Sequence, residues 1–306
     1  MTTSLPKAHH AFDATMPDGA VIRVRARGNT KGPRLLLSHG NGFAIDAYFP
    51  FWRHLLERYE LVMYDLRNHG LNPYHGAPGH SIEGFVDDLE RLLGAIEDEL
   101  GAKPTAGLYH SVSAVTAVAH AVDHDWPWSA LVLFDPPFIP TRGHPLHAIA
   151  QEFELLLANW AMTRPNRFAE PDELAEIYRT ARAQRRWVEE APELMARAQL
   201  REDPDGGGWT FSCARELESA IYVANAFSLV WDRIGELGER AEDMLFICSD
   251  PGLESAKSPA LIGVRLAEEF GFRHQAIENT THLLQIERPE ACAKAAAAFL
   301  AEKGLG

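Results

Sequence analysis

Leu108-Tyr109-His110-Ser111-Val112-Ser113-Ala114 decides the reading of this chain. An apolar strand at 106–109 runs directly into a helical pattern at 112–122, with a serine at the junction. A sharp turn there lifts the hydroxyl out at the strand's C-terminal end. The Val112 N–H, at the start of the helix, then points toward any oxyanion developing above the serine, where the helix dipole adds to it. A second reading of the same residue is a plain helix N-cap, because serine is among the preferred capping side chains.

Working outward, short apolar strands alternate with helices. Strands are expected at 21–27, 34–38, 61–64, 106–109, 131–134, 244–248 and 273–277. Between them, residues 81–100 place Ile82, Phe85, Leu89, Leu92 and Ile96 at helical spacing with one buried face. Further helices are expected at 258–270 and 289–303. Strands joined by helices imply right-handed crossovers and a mostly parallel, doubly wound α/β sheet. The rhythm breaks over 139–236, where helical stretches at 152–162, 173–185 and 219–231 are punctuated by Pro and Gly clusters with no clear strand. The expectation is therefore an α/β core of residues 1–138 and 237–306, interrupted by a helical cap of residues 139–236.

Composition narrows the function. The chain has 306 residues, 46% hydrophobic and 24% charged, the balance of an ordinary globular domain. A net charge of −14 repels phosphate backbones and anionic lipid, so neither nucleic acid nor membrane is an expected partner. The first residues lack an apolar leader pattern. Cys213, Cys248 and Cys292 are far apart and odd in number, which suggests a reducing cytoplasm and no disulfide framework. No Cys-x-x-Cys occurs and the histidines form no ligand frame, so neither a metal nor a cofactor is expected.

Four segments carry a resemblance, the opening one among them. Tyr109-His110-Ser111-Val112-Ser113 is similar to the G-x-S-x-G nucleophile elbow of the α/β-hydrolase family, with Tyr109 and Ser113 in the glycine places. His39-Gly40-Asn41-Gly42-Phe43 resembles that family's H-G-x-G oxyanion loop, and Asp65-Leu66-Arg67-Asn68-His69-Gly70 its D-x-R-G-x-G segment. Thr280-Thr281-His282-Leu283-Leu284, before Pro289, resembles the histidine loop and closing helix. The resemblance implies Ser111 as nucleophile, His282 as base, and the N–H groups of Asn41 and Val112 as oxyanion donors. It implies Asp250 as the acid, in the order Ser, Asp, His, with Asp135 and Glu254 as rivals. It also implies a cap that lines the substrate pocket. Gly42, Phe43, Tyr109, Trp160, Trp187 and Trp231 are the candidate lining residues, suited to an apolar or aromatic small-molecule substrate.

The expected chemistry is cleavage of a small carboxylic ester or thioester through an acyl-enzyme. Hydrolysis of a C–C bond in a diketone by the same triad is the nearest alternative, although relatives of that kind carry H-G-x-G-P-G and here Phe43 stands in the proline's place. A cofactor-free perhydrolase is a third reading, and a non-catalytic small-molecule receptor is a fourth. A homodimer is left open.

Overall fold

The computed structural model describes residues 4–204 and 206–306. Its core is an eight-stranded sheet in the order β1-β2-β4-β3-β5-β6-β10-β11. The strands are β1 (His10–Thr15), β2 (Val21–Gly28), β3 (Arg34–Ser38), β4 (Glu60–Tyr64), β5 (Thr105–His110), β6 (Ala130–Phe134), β10 (Met244–Cys248) and β11 (Arg273–Ala276). β1 pairs with β2, and β2 with β4, antiparallel; every other pairing is parallel. The sequence pattern did not reveal β1, an edge strand whose residues are mostly exposed or half-buried.

Flanking helices follow the strands. They are α1 (Phe49–Trp52), α2 (Ile82–Leu100), α3 (Val112–Asp123), α9 (Ser258–Phe270), α10 (Leu284–Glu287) and α11 (Pro289–Glu302). The hydroxyl of Ser81 caps α2 by accepting the Gly84 N–H at 3.0 Å. The strands read as continuous apolar runs because both faces of the sheet are covered. Leu35, Leu37, Leu108, Val132 and Ile247 face Phe51, Trp52 and Phe299, while Leu36, Val62, Leu133 and Phe246 face Phe85, Val115 and Ile262. Each fully buried side chain of this size contributes about 1.5–3 kcal/mol.

Between β6 and β10 lie α4 (His147–Thr163), α5 (Pro171–Thr180), α6 (Ala191–Gln199), α7 (Arg215–Ala226) and α8 (Val230–Arg233). This segment is not purely helical, as the sequence suggested. It also holds a small antiparallel sheet, β7 (Arg167–Phe168), β8 (Leu200–Glu202) and β9 (Trp209–Phe211), in the order β7-β9-β8. Strands of two or three residues are too short to display alternation. Gly206, Gly207 and Gly208 lie in the connection from β8 to β9.

Parallel register brings the C-terminal ends of β3, β5, β6 and β10 to one edge. Ser38 sits opposite Tyr109, His110 opposite Phe134, and Phe134 opposite Ile247. The loops leaving that edge carry His39 to Phe43, Ser111, Asp135 and Ser249. Among the described residues, no helix is long and apolar enough to cross a membrane.

Candidate active site

Ser111 adopts φ 56° and ψ −125°, a strained conformation for a residue with a Cβ. The surroundings hold it there. Its N–H donates to Phe134 O at 2.9 Å, and its carbonyl accepts from Ala114 N and Val115 N. Ser113 Oγ donates to His110 O and accepts from His110 N, stitching the turn from inside. The Ser111 side chain makes no capping bond. Its Oγ lies 2.9 Å from His282 Nε2 instead.

Tyr109 does not line a pocket. Its ring is fully buried in the opposite direction, edge-on to Trp128 at 5.6 Å. Gly107 makes room for it: a Cβ there would lie 2.5 Å from Tyr109 Cε2 and 2.6 Å from Leu131 Cδ2. The bulk in the elbow's usual glycine place is thus absorbed beneath the strand, two residues earlier.

The acid in contact with the histidine is Asp135, not Asp250. Asp135 Oδ2 lies 2.8 Å from His282 Nδ1, and the Asp135 side chain is fully buried. Ser249 donates its N–H and its hydroxyl to the same carboxylate at 2.8 and 3.0 Å, fixing its plane. Asp135 itself stands at φ 47°, immediately after β6, the sheet neighbour of β5. Asp250 is solvent-exposed at its carboxylate and accepts from Gly252 N and Asn279 N, both at 2.8 Å. Those two bonds hold the carboxyl of Asp250 below the usual carboxylate range. Its place is to tie down the loop that leads to His282, together with Glu287, which accepts from Thr281 N and Thr281 Oγ1. Glu254 makes no hydrogen bond to His282, whose Nδ1 is taken by Asp135.

The loop of residues 39–43 packs directly on Ser111. A Cβ on Gly40 would lie 3.0 Å from Ser111 Cβ, a tighter approach than side chains ordinarily make, so glycine suits this position. Among the described residues, the N–H groups of Asn41 and Val112 have no hydrogen-bond acceptor, which leaves both free to donate. Gly42, by contrast, is committed. Its N–H donates to His69 Nε2 at 3.0 Å and its carbonyl accepts from Gln199 Nε2 at 2.7 Å. Glu218 crowds its α-carbon, so Gly42 presents no surface to a pocket. Phe43 is half-buried against the core. Asp65 anchors the far end of the loop by accepting Ile45 N at 2.7 Å, while Arg67 turns away to pair with Asp18 and Asp88.

Two buried histidines brace this loop in the neutral form. Burial pushes both His39 and His69 below the ordinary imidazole range. His39 Nε2 accepts from Leu66 N, so its Nδ1–H donates to Gly40 O. A third buried histidine is His110. Burial, and then the neighbouring His282, push it well below the usual range. Its Nε2–H donates to His282 O at 2.8 Å, and its Nδ1 accepts from the Tyr48 hydroxyl at 2.7 Å. That hydroxyl in turn accepts from Gly40 N at 3.3 Å. A chain of three bonds therefore links Gly40 to the backbone of His282. Adjacency to Ser111 was the only sequence signal for it.

The tryptophans named from sequence lie elsewhere. Trp231 is core, edge-on to Phe270 at 5.2 Å. Trp160 is 44% exposed with Arg164 stacked over it, and Trp187 packs against Tyr178 at 5.2 Å. The aromatic ring from the inserted segment that meets His282 is Phe153, at 6.1 Å. Away from the nucleophile, Glu90, His120 and His124 bring their ligand atoms within 4.8 Å of one another, a grouping that spacing alone did not expose. His120 Nε2 lies 2.7 Å from Glu90 Oε2.

Comparison with known proteins agrees with this architecture. The profile described as "Alpha/beta hydrolase family" matches residues 35–295. An uncharacterized hydrolase, YraK, of Bacillus subtilis (strain 168) is 30% identical over 143 residues, 46% of this chain and 51% of the relative. The chain thus spans about half the length of that curated relative. Among solved structures, an alpha/beta hydrolase from Novosphingobium aromaticivorans DSM 12444 superposes with a TM-score of 0.74 at 15% identity, covering 97% of this chain and 99% of that one. E-2-(acetamidomethylene)succinate hydrolase gives 0.73 at 17%, covering 95% and 100%. The thioesterase domain from the curacin biosynthetic pathway gives 0.69 at 17%, covering 94% and 99%. At these identities the structural likeness bears on fold alone.

Proposed function

The chain belongs to the alpha/beta hydrolase family, and from that premise we propose that it is a serine hydrolase cleaving a small carboxylic ester or thioester through an acyl-enzyme. One observation carries the proposal: the hydrogen-bonded line from Ser111 Oγ through His282 to buried Asp135, at 2.9 and 2.8 Å. In this reading Asp135 fixes the His282 tautomer with Nδ1–H toward itself, leaving the Nε2 lone pair facing the hydroxyl. His282 takes the Ser111 proton as Oγ attacks the carbonyl carbon. The tetrahedral oxyanion is met by the N–H groups of Asn41 and Val112. One such donor is typically worth roughly 3–4 kcal/mol of transition-state stabilisation. His282 then protonates the departing alcohol or thiol, and water releases the acid by the reverse sequence. The segment between β6 and β10 acts as the cap, with Phe153 beside the base.

Labelling with a fluorophosphonate probe tests this. Wild-type protein should be modified at Ser111, Ser111→Ala should not, and p-nitrophenyl acetate and butyrate should be turned over. Folded wild-type protein that stays unlabelled contradicts the proposal. Turnover of a vinylogous diketone but of neither ester assigns C–C hydrolysis instead.

A further inference from the structure

One face of α7 carries Glu218, Tyr222 and Asn225, spaced four and three residues apart. The backbone carbonyl of Glu218 accepts from Asn41 Nδ2 at 2.8 Å, and the Tyr222 hydroxyl lies 3.4 Å from Asn41 O. At the other end Asn225 Nδ2 donates to Pro137 O at 2.9 Å. Asn41 follows β3 and Pro137 follows β6; β5, which delivers Ser111, lies between those strands in the sheet. This face of α7 therefore crosses over the nucleophile.

What faces the crossing is unusual in its polarity. Glu154, on α4, is 2% exposed. Its Oε2 accepts from Asn225 Nδ2 at 2.9 Å, and among the described residues no cation pairs with it. The nearby cation, Arg164, is bound to Glu218. Burial pushes the Glu154 carboxyl up to about 8. Asn41 Oδ1 and Asn225 Oδ1 are also buried, and neither has a hydrogen-bond partner. Neither amide is open to flipping, because each Nδ2 already donates to a backbone carbonyl. Phe153, the residue before Glu154, flanks His282. Around the crossing stand two amide oxygens with unused acceptor capacity and a buried carboxyl that no cation pairs with.

We infer that the space between α7 and Ser111 selects a substrate whose acyl or alcohol half carries a hydrogen-bond donor, an ammonium or a hydroxyl group, with Glu154 as the specificity-determining residue. The inference rests on the ester-hydrolase reading. A donor on the substrate satisfies acceptors that an apolar group of the same shape leaves unpaired, and sites built this way discriminate strongly against the apolar analogue.

The test uses two isosteric series on the full chain. The acyl series is the p-nitrophenyl esters of 3-methylbutyrate, 3-hydroxybutyrate and 3-aminobutyrate. The alcohol series is the acetates of 1-pentanol, 1,4-butanediol and 4-aminobutan-1-ol, followed by acetate release. In one series, kcat/KM for a donor-bearing member should exceed that of its apolar counterpart by at least about tenfold. E154L should abolish that preference. E154Q keeps the shape, but its oxygen turns to Asn225 Nδ2 and its NH2 faces the substrate donor, so it too should abolish the preference, and it carries the test should E154L fail to give a cooperative melt. Suppose wild type labels at Ser111 and hydrolyses p-nitrophenyl acetate, yet neither series shows a preference. The inference then falls while the hydrolase reading stands, and it falls equally if E154L, or E154Q in its place, keeps the preference. Absence of Ser111 labelling removes the hydrolase reading itself.

Discussion

Replacing Asp135 by asparagine should be far more damaging than the same change at Asp250. The Asp135 carboxylate is an acceptor on every side: Ser249 N–H and Oγ–H on one, His282 Nδ1 on the other. The replacement amide keeps one oxygen and gains an NH2. Ser249 offers two donors, so the oxygen turns to Ser249 and the NH2 faces Nδ1. A donor there forces His282 into the tautomer with its proton on Nε2, pointing at Ser111 Oγ, where a lone pair is required. The shape is unchanged and the base is lost, which in a triad of this type costs about 10⁴ in kcat, roughly 5.5 kcal/mol in the barrier. Asp250 receives two backbone N–H groups in solvent, and an amide oxygen still accepts from one of them. Asp250→Asn should therefore change kcat by about threefold or less, in the range of surface substitutions. The assay is steady-state hydrolysis of p-nitrophenyl acetate, with fluorophosphonate labelling rates as a check on the nucleophile. A loss of 10³ or more in Asp250→Asn, with Asp135→Asn near wild type, would refute the reasoning.

Three further outcomes follow from the buried histidines and from Glu154. His110→Phe keeps a ring but removes the bonds to Tyr48 and to His282 O, so kcat should fall about 10- to 100-fold with KM little changed, and labelling should slow in parallel; an unaltered kcat in the folded variant contradicts the positioning role. His39, His69 and His110 titrate below 6.5 in the folded chain, so the unfolded chain binds more protons as the pH drops through that value. Stability should fall below pH 6.5, by about 1.4 kcal/mol per pH unit for each histidine still neutral when folded. Glu154 acts in the opposite sense. With its folded value raised from 4.5 to about 8, the folded chain binds the extra proton and stability declines between those pH values. Urea melts of wild type and E154Q across pH 4.5–8.5 measure both effects: the difference between the two proteins should carry the Glu154 slope, and an unchanged pH profile in E154Q contradicts the assignment.

Much of the fold was legible because the strands are buried on both faces. Runs such as Leu35-Leu36-Leu37 and Leu131-Val132-Leu133-Phe134 announce themselves without alternation, and their spacing by helices implies a parallel sheet. The edge strand β1 and the three short strands β7 to β9 were not legible, since half-exposed or very short pairings leave no periodic mark. At the site, Ser111 and His282 were located by the local turns that display them. The partner of His282 was not, because Asp135 and Asp250 both follow strands and both sit at the same sheet edge.

What the sequence by itself determined is what short segments decide: the strand-to-helix turn at Ser111, the glycine approach at Gly40, the loop bearing His282, and the interruption of the sheet rhythm after residue 138. What only the tertiary structure decided is which distant groups meet. β6 and β10 are neighbours in register, so Ser249 turns Asp135 toward His282 while Asp250 is left holding a loop. Likewise His110 braces His282 from behind, and α7 carries Asn225 to Glu154 above Ser111. Such pairings span 29 to 172 residues of chain, and side-chain chemistry alone does not rank one carboxylate above another until the sheet sets its orientation.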